Sequence, residues 1–205
     1  MNIKQDLIPT SNRNRPGTRI NPTHITIHET ANRSRGADAA THARYVKGAD
    51  AQNRSVSWHY TVDDKQIIQH LPNHEMGWHA GTNGNRQSIG IELCVNSDGD
   101  FEKTKANAQW LIRKLMSNLN IPVERVVTHK HWTGKNCPAT LLPQFNNFKQ
   151  GVITVTAQSN NTPSPTHKGN WEKATAKGIF NGERPKEPLT REQFASILNR
   201  LGLLD

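Results

Sequence analysis

Groups able to bind metal or move protons crowd the front of this 205-residue chain, where nine of its ten histidines precede position 132. His129 and Cys137 flank a loop containing Gly134. Imidazole and thiolate together suit Zn²⁺, a borderline-soft ion that takes N and S ligands in a tetrahedron. A third protein ligand, with the fourth position left to water, would be the catalytic form of such a site. Spacing alone leaves that third ligand open among the other histidines. Cys137 precedes Pro138 and follows a polar run at 133–136, a poor place to bury a thiol for packing. Cys94, between Leu93 and Val95, reads instead as a small buried hydrophobe. Two cysteines are too few for a disulfide framework. Glu92 lies between Ile91 and Leu93, and a carboxylate so placed requires a partner. It reads as a salt-bridged edge or as a general base beside a metal.

Alternating strands and amphipathic helices must position these groups. His24-Ile-Thr-Ile-His28 has period two, with Ile25 and Ile27 on one face and His24, Thr26 and His28 on the other. Residues 88–95 set Ile89, Ile91 and Leu93 against Gly90, Glu92 and Cys94. His28 and Glu92 are therefore expected on the polar, wet side of a sheet. Residues 56–62 read as a strand with Val56, Trp58, Tyr60 and Val62 on one side and Ser57, His59 and Thr61 on the other. A turn at Asp63-Asp64 leads to a short strand at 66–70, and 123–129 is a further strand ending on His129. Helices are expected at 38–47 and at 103–119, the latter with Ala108, Leu111, Ile112, Leu115 and Leu119 in one stripe. Strands interleaved with helices predict an α/β fold, a central mixed β-sheet with helices packed on its faces. The segment 154–168 is polar and carries Pro163 and Pro165, the pattern of a linker. It divides a catalytic domain at 1–153 from a small C-terminal helical module at 169–205. In that module Thr190 and Gln193 form a capping box before an apolar face of Phe194, Ile197, Leu198 and Leu201.

Five segments, THITIHET (23–30), SWHYTVDD (57–64), GWHAGTNGN (77–85), SIGIELC (88–94) and THKHWTGKNCPATLL (128–142), together resemble the type 2 N-acetylmuramoyl-L-alanine amidases. The resemblance spans roughly residues 1–150. It implies a zinc hydrolase with His28, His129 and Cys137 as metal ligands and Glu92 and Lys135 as catalytic residues. Trp58 stands where some members carry a tyrosine near the metal, and with His59 and His79 it is expected to contact substrate. The implied reaction is hydrolysis of the amide joining N-acetylmuramic acid to the L-alanine of the stem peptide. The tail resembles short helical modules appended to wall hydrolases, which implies wall binding or a homodimer through this module.

The formal charge of +9 favours polyanions such as anionic wall polymers, and +8 of it falls on residues 1–168. No nucleic-acid motif accompanies that charge, which argues against a nucleic-acid partner. Residues 1–9 lack the apolar centre of a signal peptide, and no apolar run approaches the ~18 residues of a membrane span. An endolysin held in the host bacterial cytoplasm until release to the cell wall is the expectation. The rival readings are a host autolysin and a non-catalytic peptidoglycan-binding protein on the same fold. Retention of Cys137 speaks for the enzyme.

Overall fold

A six-stranded sheet organises the computed structural model, which describes residues 2–160, 163–180 and 191–204. In chain order its elements are β1 (Ile3–Gln5), β2 (His24–Glu29), α1 (Ala39–Lys47), α2 (Ala49–Asn53), β3 (Tyr60–Val62), β4 (Ile67–Gln69), α3 (Gly81–Gln87), β5 (Ser88–Leu93), α4 (Phe101–Leu119), β6 (Val126–Thr128), α5 (His129–Thr133), α6 (Phe145–Asn160), α7 (Lys168–Ala176) and α8 (Arg191–Arg200). The strand order is β1-β4-β3-β5-β2-β6. β3 and β4 form an antiparallel hairpin, and every other neighbouring pair is parallel. The sheet is thus mixed, with helices on its faces, as the alternating periods predict.

One face carries the main core. Ile25, Ile27, Tyr60, Val62, Ile89, Ile91 and Leu93 meet the α4 stripe of Ala108, Leu111, Ile112 and Leu115, together with Phe148 and Val152 of α6. Asp100 caps α4 by accepting from the Lys103 N–H at 3.1 Å, and Asn120 ends it in the left-handed conformation.

The opposite face is covered in two places. On the β3–β4 side α1 packs Ala39 and Ala43 against Ile68 and Cys94. On the β2–β6 side the short helices α3 and α5 lie against the strands. This face is polar but largely dry: Thr26, Thr61, His59 and Ser88 are fully buried, which corrects the expectation of a solvated side except around His28 and Glu92. Parallel strands gain cover on both faces through their crossovers, and the buried hydroxyls are satisfied by one another. Thr26 Oγ1 donates to Ser88 Oγ at 2.7 Å, and Ser88 Oγ donates to the Gly84 carbonyl at 2.7 Å.

Three other readings need correction. The strand expected at 56–62 is regular only from Tyr60, because Trp58 turns to the other face and packs with Ile8, Val46 and Leu71. The strand expected at 123–129 begins as a 3-10 turn and stops at Thr128, so His129 opens α5. The segment read as a linker from 154 continues as helix to Asn160, since no Gly or Pro intervenes between Val152 and Pro163. The chain divides into two compact units, Met1–Val152 and Ile153–Asp205. In the second, Trp171 stacks on Phe180 at 4.8 Å, and Phe194, Leu201, Leu203 and Leu204 are exposed. The predicted cap Thr190 lies outside the described residues. Among the described residues no helix is long and apolar enough to cross a membrane.

Candidate metal centre

Register sets the first pair. In the parallel pairing of β2 with β5, His28 stands opposite Glu92, so the two side chains emerge side by side on the polar face. His28 Nδ1 lies 4.0 Å from Glu92 Oε1 and 3.9 Å from Cys137 Sγ. His129 comes from the next strand over, where β6 turns into α5, and its ring meets that of His28 edge-on at 4.7 Å. One donor atom from each of His28, His129 and Cys137 lies within 4.8 Å of the other two.

The loop that delivers Cys137 is fixed from both ends. Gly134 closes α5 in the left-handed conformation, its N–H donating to the Lys130 carbonyl at 2.9 Å. The Lys130 N–H then donates to the Cys137 carbonyl at 3.1 Å, and the Cys137 N–H to the Lys135 carbonyl at 2.7 Å. Beyond the cis Cys137–Pro138 bond, Thr140 donates its N–H to both oxygens of Glu29 at 3.1 and 2.9 Å. Glu29 is a site-building residue absent from the sequence reading. Its signal was available, as a carboxylate at the end of an otherwise aliphatic strand face. On the other side, Trp132 Nε1 donates to Thr26 Oγ1 at 2.8 Å and ties α5 to β2. Gly84 lets α3 approach closely: a Cβ there would meet Ala80 Cβ at 2.5 Å and the Trp132 ring at 3.0 Å.

Electrostatics follow from burial. Desolvation raises the Glu92 carboxyl to about 8, against a downward pull from the Lys135 ammonium and a further upward push from Glu29. Burial raises the Cys137 thiol to about 11, opposed by a hydrogen bond from the Glu29 backbone and by Lys135. His28 is held well below its ordinary value by burial and then by neighbouring histidines and Lys135, so it is neutral, as a ligand must be. Glu92 Oε2 and His129 Nδ1 are buried without a hydrogen-bond partner. Buried polar atoms left unpaired around two neutral imidazoles and a thiol are what a bound cation would satisfy. The donor set therefore fits a borderline-soft divalent metal.

The site opens into a cleft of about 800 Å³, lined by Glu92, Lys135, Trp58 and His79 as well as the three donors. It extends past His42 to Tyr45 and Arg54, wall residues the sequence reading did not single out. Of the residues expected to contact substrate, His79 and Trp58 line this cleft, while Trp58 also gives its Nε1–H to Thr61 Oγ1 at 2.7 Å. His59 does not reach it. Its Nδ1 accepts from the Gly90 N–H at 3.0 Å, its Nε2 lies 2.8 Å from the Glu75 carbonyl, and the residue is fully buried. Strand alternation placed His59 on the correct face but could not show that β5 and the 75–77 loop cover it. His131 stacks on His24, meets Trp132 edge-on and stands outside the donor triangle.

Residues 17–140 match the sequence profile of a family described as N-acetylmuramoyl-L-alanine amidase. The chain is 60% identical over 154 residues to the N-acetylmuramoyl-L-alanine amidase CwlH of Bacillus subtilis, a match covering 73% of this chain and 60% of that protein. It is 56% identical over 155 residues to XlyA of the same organism, covering 74% and 51%. The matches thus span between half and two thirds of these curated relatives. Among solved structures, the catalytic domain of XlyA superposes with a TM-score of 0.71 at 55% identity, covering 74% of this chain and 99% of that domain. PlyL superposes at 0.67 with 36% identity, covering 74% and 97%.

Proposed function

This chain belongs to the N-acetylmuramoyl-L-alanine amidase family, and from that premise we propose that it is a zinc-dependent peptidoglycan amidase of the endolysin type. Its bond is the amide between the lactyl group of N-acetylmuramic acid and the L-alanine of the stem peptide. The observation that carries this reading is the triangle of His28, His129 and Cys137 beside a buried, unpaired Glu92 oxygen. Zn²⁺ bound in that triangle would supply an acidified water and a polarised carbonyl.

The chain's own residues then divide the remaining work. Glu92 takes the proton of the attacking water at Oε2 and passes it to the leaving amine nitrogen. Its carboxyl, raised to about 8 by burial, is a stronger base than a solvated carboxylate, and a nearby cation favours the ionised form it needs. Lys135, on the same cleft wall, offsets the negative charge that develops on the carbonyl oxygen. Trp58 and His79 bound the space the substrate enters, and the arm toward Tyr45 and Arg54 gives room for an extended peptide. The complete ligand set supports an enzyme over a non-catalytic binding protein on this fold.

Digestion of purified cell wall tests the assignment. New N-terminal alanine is expected, whereas new reducing sugar ends would overturn it. For the C-terminal module we propose wall binding, on the strength of its exposed Phe194, Leu201 and Leu203. A chain ending at Asn160 that sediments with isolated walls as well as the full chain does would refute that role.

A further inference from the structure

His28 has two ring nitrogens with different surroundings. Nδ1 faces the donor triangle, 3.9 Å from Cys137 Sγ, while Nε2 lies 2.9 Å from His79 Nδ1. A neutral imidazole carries one proton, so Nδ1 can offer a lone pair only when Nε2 holds that proton, the tautomer that an acceptor beside Nε2 favours. His79 Nδ1 is the ring nitrogen within reach, and it accepts when His79 Nε2, which is buried without a partner, holds its own proton. The two rings stand nearly perpendicular, at 83°, with centroids 5.0 Å apart.

The surrounding chain is shaped to hold His79 in that position. A Cβ at position 90 would lie 2.8 Å from both Cγ and Nδ1 of the His79 ring, so β5 gives up a side chain to admit it. Asn85 Oδ1 accepts from the backbone N–H groups of His79 and Ala80, at 2.8 and 2.7 Å, and fixes the segment from which the ring projects. Filling space alone would not require a ring nitrogen aimed at His28.

We propose that His79 is a positioning residue that locks His28 in its Nε2-protonated tautomer and so directs the Nδ1 lone pair into the metal site. This rests on the three-residue metal reading, and it separates His79 from residues whose task is to hold substrate. Outer groups that orient a ligating histidine commonly change metal affinity about 10–100-fold when removed.

The test uses the full chain, stripped of metal, with His79→Leu and His79→Asn. Leucine fills the space without an acceptor, whereas asparagine restores an acceptor oxygen on Cγ, where His79 carries Nδ1. Zinc affinity is read by competition with a chromophoric chelator, and the His28 tautomer by ¹⁵N NMR of the metal-free protein. His79→Leu is expected to bind zinc about 10–100-fold more weakly, with a mixed His28 tautomer. His79→Asn is expected to recover most of the affinity and the Nε2-protonated form. Native-like affinity and tautomer in His79→Leu would overturn the proposal, as would equal loss in both folded variants. A native chain that binds no zinc would refute the metal reading instead, while the tautomer measurement would still decide the role of His79.

Discussion

The two faces of one sheet do different work, although the same strands build both. On the α4 face, Ile25, Ile27, Ile89 and Ile91 are fully buried against Leu111, Ile112 and Leu115, and Tyr60 brings a hydroxyl into the same cluster. That hydroxyl donates to Asn73 Oδ1 at 2.7 Å. On the other face the intervening residues are Thr26, His28, Gly90 and Glu92. Among the described residues, Thr30 Oγ1, His79 Nε2, Glu92 Oε2 and His129 Nδ1 are buried without partners, and all four residues line the cleft. Alternation thus assigns stability to one side and unsatisfied chemistry to the other. The difference shows where a fold of this size can tolerate polar strain: around the donor triangle, backed by a face that is largely apolar.

Substitutions on opposite faces should therefore fail in opposite ways. The largest expected effect is on the polar face, where Glu92→Gln lowers amide hydrolysis by about 10²–10⁴-fold. Its zinc content and unfolding midpoint should stay near native, and loss of zinc would make Glu92 a ligand rather than a base. On the apolar face, Leu111→Ala should cost about 2–5 kcal/mol in urea unfolding. Its turnover well below the melting temperature should be unchanged, and a parallel fall in turnover would mean that the two faces are not separable.

A third expectation concerns pH. Burial lowers His59 and His70 to about 4, below the ordinary value of 6.5. Between those limits the unfolded chain binds more protons, so stability is fully present above pH 6.5 and falls as pH drops toward 4. Each histidine contributes about 3 kcal/mol to that loss. His70→Gln should flatten the pH dependence of the urea midpoint over this window, and an unchanged slope would show that His70 is protonated in the fold. The smallest effect is expected at Cys94, where Cys94→Ala removes a buried sulfur outside the donor triangle and should cost about 1 kcal/mol. Loss of zinc in that variant would contradict the choice of Cys137 as the thiolate.

Much of this division was legible in the sequence, for identifiable reasons. Period two at 24–28 and 88–95 placed His28 and Glu92 on one face, and the α4 stripe declared the other face apolar. What stayed hidden was cover. α3 and α5 have the sequences GTNGNRQ and HKHWT, too short and irregular to show periodicity, yet they bury Ser88 and Thr26. For the same reason His59 reads as a cleft residue until the Glu75 carbonyl and the Gly90 N–H are seen to take both its nitrogens. Glu29 stands out locally as a carboxylate ending an aliphatic strand face, but its partner Thr140 lies across the fold, so its role was not legible. The metal triangle itself joins residues more than a hundred positions apart. The residues alone suggested only the His129–Cys137 pair, and the family resemblance supplied His28.

Zinc analysis of the dialysed native chain beside Cys137→Ala tests the central claim most directly. Stoichiometric zinc is expected in the native protein and a marked loss in the variant, with release of N-terminal alanine from cell wall following the metal. A native chain free of zinc that still cleaves the wall, or a Cys137→Ala chain that retains zinc as tightly as native, would contradict the account.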